Sequence, residues 1–150
     1  MSTPFHNGVR LDSVPEQDAQ RTVVLAAGIT QAHIGRALTL DGTNANRYRL
    51  SGDNDPVDAR LLQVEDRGSL GLIGTAAFRF IDELPIAENE TVTVGAQVVG
   101  AGSGFIKAAA AIGTPADLAA AAAAMNTLRR RKHNLVQEVR TGFAVVSLGF

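Results

Sequence analysis

Along most of the chain, apolar and polar residues alternate one by one, the period that β-strands with one inward face produce. The pattern is clearest in the middle. In residues 74–80, Ala76, Phe78 and Phe80 alternate with Thr75, Ala77 and Arg79; in residues 91–98, Val92, Val94, Ala96 and Val98 alternate with Thr91, Thr93, Gly95 and Gln97. Each run predicts a strand, and Glu88, Asn89 and Glu90 predict a solvated connection between them. Further strands are expected at residues 22–27 (TVVLAA), 35–40 (GRALTL), 47–50 and 60–65 (RLLQVE), with a turn at Asp41-Gly42, where glycine takes positive φ at little cost. Residues 51–58 (SGDNDPVD) read as a loop, since Pro56 bars a central strand. Asp66-Arg67-Gly68-Ser69 turns the chain into the central stretch, and a last pair of strands, 135–140 and 143–150, meets at Thr141-Gly142. Short strands separated by turns, without alternating βαβ units, predict a mainly β fold, a small β-barrel or sandwich.

Two segments depart from this period. Residues 114–133 predict an alanine-rich helix over about 115–133, near the C-terminus: Thr114 is placed as N-cap, Pro115 at the first helical position, Asp117 in the first turn, and a basic run at the far end. Leu118, Ala121, Ala122, Met125 and Leu128 make one narrow apolar face, and the alanines 119–124 permit close approach. Ala121 and Ala122 are therefore the candidate points of contact in a homo-oligomer. Residues 1–21 show no period at all, because Pro4, Gly8 and Pro15 interrupt it, yet Phe5, Val9, Leu11 and Val14 are apolar. Two readings stand: a disordered terminus, or an extended N-terminal arm whose apolar points dock on a partner. Residues 22–150 are expected to form a single β-rich domain.

Composition narrows the function classes. A chain of 150 residues buries roughly 70% of its unfolded surface, enough for a core without staples. There is no cysteine, which excludes disulfides, thiolate metal sites and cysteine nucleophiles. A net charge of −1 gives the whole molecule no electrostatic footprint for nucleic acid or an anionic membrane. No apolar run approaches the roughly 20 residues of a membrane span, and the N-terminus lacks the basic-then-apolar pattern of a secretion signal. With six Phe, one Tyr and no Trp, the composition favours flat, closely approaching surfaces over deep aromatic pockets.

Candidate chemistry is thin. His6, His33 and His133 lack metal-ligand spacing. Asp53, Asp55 and Asp58 lack the central glycine and distant glutamate of a calcium loop. Gly100, Gly102 and Gly104 (GAGSG) lead into Phe105-Ile106-Lys107, not into a helix, so they read as a tight corner and not as a phosphate cradle. Glu65, Asp66, Asp82 and Glu83 lie at strand ends, where solvating charge is the simpler reading than an acid/base pair. The basic run Arg129, Arg130, Arg131 and Lys132 suits a helix C-terminus, with an acidic protein surface as the next reading. No catalytic, cofactor-binding or metal-ligating residue is assigned, and no enzyme is expected.

The order of ITQAHIGRALTLDGTNANRYRL, DARLLQVEDRGSLGLIGTAAFRFIDEL and TVTVGAQVVGAGSGFIKAA resembles that of small tailed-phage capsid decoration, or head cement, proteins. The shared cadence is a strand after "IG", a DG turn, the "LLQVED" strand and the "VGAQVVGAGSGFIKAA" strand pair, over roughly residues 29–110 and the final strand. The resemblance implies a β-rich, catalytically silent protein without cofactor, bound to the outer face of a virion capsid after synthesis in the host cytoplasm. Its partners would be the major capsid protein and its own copies, a trimer being favoured, with no nucleic acid or membrane involved. The long N-terminal segment and the helix are additions to that family's compact pattern, and no functional residue carries over individually. The arm residues Phe5, Val9, Leu11 and Val14 are then the candidate capsid-binding points. The rival is a small-molecule or glycan-binding β-domain with its site in a barrel mouth near Gly100, Gly102 and Gly104, which includes host-surface binding through loops such as 51–58. A hydrolase using the strand-end carboxylates is the third reading.

Overall fold

The alternation resolves into ten strands and one α-helix across residues 19–44, 46–130 and 134–149, the parts of the chain that the computed structural model describes. Strands β1 (Gln20–Leu25), β2 (Ala37–Leu40), β3 (Arg47–Leu50), β4 (Ala59–Asp66) and β5 (Leu72–Ala77) close into a barrel in the order β1-β3-β2-β4-β5. Only the β1–β3 pair is parallel; the other four seams are antiparallel. Closure leaves no free edge among these strands. The interior is filled by Val23, Leu25, Leu38, Leu61, Val64 and Ala76. A Cβ on Gly74 would stand 2.6 Å from the Gln63 carbonyl oxygen and 2.7 Å from Leu25 Cδ1, so the absent side chain is what lets Leu25 fill the barrel. The first strand begins at Gln20, which pairs with Ala77, and not at Thr22: residues 20 and 21 belong to the barrel wall.

The run 74–80 is not one strand. It breaks at a bend over Phe78 and Arg79, where the chain leaves the barrel and enters β6 (Phe80–Pro85). The reason is visible just before the bend: Ala76 faces the barrel interior while its neighbour Ala77 packs outward into a second core, so the wall is buried on both sides there. Phe78 then turns back, edge-on to Tyr48 at 5.4 Å between centroids and under the Arg21 guanidinium at 5.8 Å.

The second layer consists of a three-stranded antiparallel sheet, β6-β10-β9, and a hairpin, β7-β8, with β7 at Val98–Gly102, β8 at Phe105–Ala108, β9 at Asn134–Arg140 and β10 at Phe143–Leu148. Phe80, Leu84, Val136, Ala144, Val146 and Leu148 point inward from the sheet and meet Val98 and Ile106 of the hairpin, Ala37 and Ala77 of the barrel, and Val57 of the loop before β4. The architecture is therefore a barrel of five strands with a smaller β layer packed on its outside. The Ser103-Gly104 corner, with φ of +52° and +77°, closes the hairpin as a primed turn, the kind that matches strand twist.

Residues 91–97, expected as a strand, are irregular. Gly95 takes φ +82°, and the Ala96 N–H donates to Thr93 O at 3.1 Å, forming a turn that leaves Val92 buried but Val94 65% exposed. This turn serves the edge of β9 instead: Gly95 N–H donates to Val136 O at 2.8 Å and Val136 N–H to Ala96 O at 3.0 Å.

The helix, α1, spans Leu118–Arg130. It starts later than expected because Asp117, not Thr114, caps it: Asp117 Oδ1 accepts the Ala120 N–H at 2.7 Å, the bond an N-cap carboxylate makes to the third helical residue. Thr114 and Pro115 thus precede the helix. Residues 131–133, expected to continue it, lie outside the described residues. None of Leu118, Met125 and Leu128 enters either core.

Candidate functional site

The candidate capsid-binding residues Phe5, Val9, Leu11 and Val14 lie outside the described residues. The root of their segment is described. Ala19 O accepts the Phe78 N–H at 2.7 Å, and at the other end of the chain Gly149 O accepts Arg79 Nε–H at 3.1 Å. Ala19 and Gly149, the first and last described residues, therefore both meet the body at the corner between β5 and β6.

The outward face of the three-stranded sheet starts at that corner. Register sets Ile81, Ser147 and Leu135 side by side in its first row, with Ile81 37% and Leu135 46% exposed. Gln137 Nε2 donates to Ser147 Oγ at 3.1 Å beside them. The second row is Glu83, Val145 and Glu138. Val145 is fully buried although it faces away from the core, and Arg140 bridges Glu83 and Glu138, the two residues that flank it. The guanidinium forks onto Glu138, with Nε–Oε1 at 2.9 Å and Nη2–Oε2 at 3.0 Å, and pairs with Glu83 from the other side. The Glu138 hydrogen bonds hold Arg140 still further above its ordinary pKa. Phe143, 44% exposed, follows in the third row. Such a face, apolar at both ends with a cluster of one guanidinium and two carboxylates between them, offers area to bury and no reactive group.

The second candidate pair lies on α1, where Ala121 is half-buried and Ala122 exposed. The carboxylates singled out in sequence do not converge. Asp55 pairs with Arg49 at 2.7 Å and accepts the Gly52 N–H; Asp53 pairs with Lys107 at 2.6 Å; Asp58 accepts the Leu40 N–H at 2.8 Å. Glu65 pairs with Arg67, Asp66 accepts the Gly68 N–H, Asp82 pairs with Arg60 at 3.2 Å, and Glu83 belongs to the Arg140 cluster. His33 Nδ1 accepts the Thr30 N–H at 2.9 Å within a one-turn 3-10 helix, while His6 and His133 lie outside the described residues. Among the described residues, no three His, Asp or Glu side chains are grouped to hold a metal ion.

The GAGSG corner is a backbone clip. Gly100 N–H donates to Asp55 O and Gly100 O accepts the Asn54 N–H, both at 2.8 Å; Gly104 N–H donates to Ser51 O at 3.0 Å and Gly104 O accepts the Ala37 N–H at 2.9 Å. A Cβ on Gly100 would collide with the Gly52 carbonyl oxygen, so hairpin and loop meet there with no space between them. A shallow open groove of about 360 Å³ lies at the far end of the sheet, between residues 86–92 and Val139, Arg140 and Gly142.

Two features escape the sequence reading. Asn134, 1% exposed, joins the two parts of the second layer through paired hydrogen bonds to Val98. The Arg140 cluster had one signal in sequence, Glu138 and Arg140 spaced by two on a strand and hence sharing a face; its third member, Glu83, needed the register of β6 on β10. In the comparisons with known proteins, no family model, no curated protein and no solved structure matches this chain.

Proposed function

We propose that the protein is a structural component of a tailed-phage virion, a decoration or head cement protein that binds the outer surface of the capsid and stabilises it, with the major capsid protein and its own copies as partners. The observation that carries this reading is the meeting of Ala19, Gly149 and the exposed Ile81–Leu135 row at one corner of a body built on a closed barrel. A cement protein needs that arrangement: a body that does not deform, and an apolar segment leaving it beside a face able to bury area on a neighbour. Residues 1–18 carry Phe5, Val9, Leu11 and Val14. Extended at about 3.3 Å per residue, they would reach about 60 Å, enough to cross onto an adjacent capsomer. Many copies on one shell would multiply a modest affinity per arm.

The test has two arms. A mass inventory of purified virions should contain the chain in many copies; its absence overturns the reading. Removal of residues 1–18, stopping short of the Ala19–Phe78 bond, should leave the circular dichroism spectrum and melting temperature unchanged. The same truncation should weaken rebinding to stripped capsids at least about tenfold, or about 1.4 kcal/mol. Undiminished rebinding assigns attachment to the body. The glycan-binding reading has one feature in its favour, the open groove beside Glu88, Asn89, Glu90 and Arg140; saturable binding of a glycan, lost on Arg140→Ala, would favour it over the capsid reading.

A further inference from the structure

A helix of 13 residues is marginal in water unless an apolar face is covered. In α1 that face is open: Leu118 is 90% exposed, Met125 54% and Leu128 48%. With Ala121 these residues are spaced three, four and three apart, the rhythm of a coiled-coil seam. The seam is also palindromic. Turned end for end about residue 123, Leu118 faces Leu128 of a second copy and Ala121 faces its Met125. Each layer then holds either two leucines or one small and one long, adaptable side chain. In a parallel pairing Ala121 would face Ala121 across a void while Met125 crowded Met125. Charge favours the same choice. Asp117 stands at the start of the helix and Arg129 in its last turn, so reversal brings acid to base and opposes the two helix dipoles, where parallel alignment stacks like charge on like.

We propose that α1 is an antiparallel, two-fold contact between two copies of this chain, with the seam Leu118, Ala121, Met125 and Leu128. Ala122 flanks the seam. The inference goes beyond capsid attachment and does not depend on it. A two-fold contact is isologous and cannot by itself close a trimer, so it pairs free chains or ties one oligomer to the next.

The chain has no cysteine of its own, so single thiols report directly on this geometry. In the antiparallel pair, the two copies of position 118 are about 15 Å apart along the axis, beyond the roughly 7 Å Cα separation that a disulfide can span. Full-length Leu118→Cys and Leu128→Cys, oxidised separately, should give little cross-linked dimer, whereas their mixture should give mainly the 118–128 heterodimer. A Leu118→Cys homodimer as abundant as the mixed product, or no cross-link in the mixture, overturns the proposal. In light scattering at high micromolar concentration, Met125→Glu should reduce the two-copy species at least about tenfold while its melting temperature as monomer is unchanged, since Met125 enters neither core. Unaltered association of Met125→Glu also overturns it. Repeating the cross-linking with residues 1–18 removed should give the same yield, which separates the failure of the arm from the failure of the helix pair.

Discussion

Asn134→Ala should destabilise the protein more than any change on the exposed sheet face. Asn134 opens β9 and is 1% exposed; its Oδ1 accepts the Val98 N–H at 2.9 Å and its Nδ2 donates to Val98 O at 3.0 Å. The side-chain amide thus stands in for a strand, splicing β7 to β9 where the backbone bonds from Gly95 and Ala96 to Val136 end. Alanine leaves a donor and an acceptor of Val98 buried without partners, and each such group costs about 1–3 kcal/mol. Partial relaxation lets one of the two regain a weak partner, so the expected net loss is about 3 kcal/mol. For a chain of this size, about 2–4 °C is lost per kcal/mol, which predicts a melting point lower by about 6–12 °C. Thermal unfolding measures the shift, and hydrogen exchange at the Val98 amide locates it. Leu135→Ala, one residue further on but exposed, is the control and should shift melting by no more than about 2 °C. If Asn134→Ala melts as close to the wild type as that control, and Val98 exchanges as slowly as before, the clip is redundant. The apolar contacts of Val98, Val136 and Ile106 would then suffice to hold the hairpin on the sheet.

Gly100→Ala should cost about 1–3 kcal/mol in denaturant unfolding, since its Cβ meets backbone of the 51–55 loop that cannot retreat; Gly102→Ala, with nothing within 4 Å, should lose only what its positive φ imposes. Asp41 is held down to about 2, chiefly by the Thr43 hydroxyl at 2.7 Å, then by the Thr43 N–H and Arg47. Because its folded pKa lies below the unfolded value of about 3.9, its contribution is present above about pH 4 and is lost as pH falls towards 2. Asp41→Asn should therefore be less stable than the wild type at pH 7 but approach it near pH 2; a difference independent of pH refutes the assignment.

Period and turn chemistry were enough to find the β class, the barrel or sandwich choice, the loop at 51–58 and the two final strands, because each rests on local steric rules that hold wherever the segment lies. What failed was read across a change of environment. The alternation through 74–80 is unbroken in sequence, yet Ala76 and Ala77 are both buried, in different cores, and the strand ends at Ala77. The alternation through 91–98 is as regular, but Gly95 at φ +82° ends it, and no local rule distinguishes that glycine from one inside a strand. Of the candidate contact residues, the helix seam was legible because helical spacing is local. The row of Ile81 and Leu135 was not, since it exists only through the register of β6 and β9 on β10.

That division has a physical consequence for how the chain uses its surface. The barrel is finished by closure: its strands satisfy one another, and one side of its wall is covered by the second layer. The segment from Leu118 to Gly149 is different. It supplies α1, whose apolar face meets neither core, and β9 and β10, whose outer face exposes Leu135 and Phe143. Burial of one exposed leucine or phenylalanine is worth about 1.5–3 kcal/mol, so these residues represent association energy that the folded chain leaves unused. The Arg140 cluster keeps that face from being uniformly greasy by setting one guanidinium between the two carboxylates that flank Val145. A partner that covers the sheet without matching the cluster would have to desolvate Glu83, Arg140 and Glu138 together, at a cost of several kcal/mol. On the proposed reading of this face as a contact surface, the cluster would select among partners while the apolar rows on either side would provide the affinity, and the barrel beneath would hold the two in register.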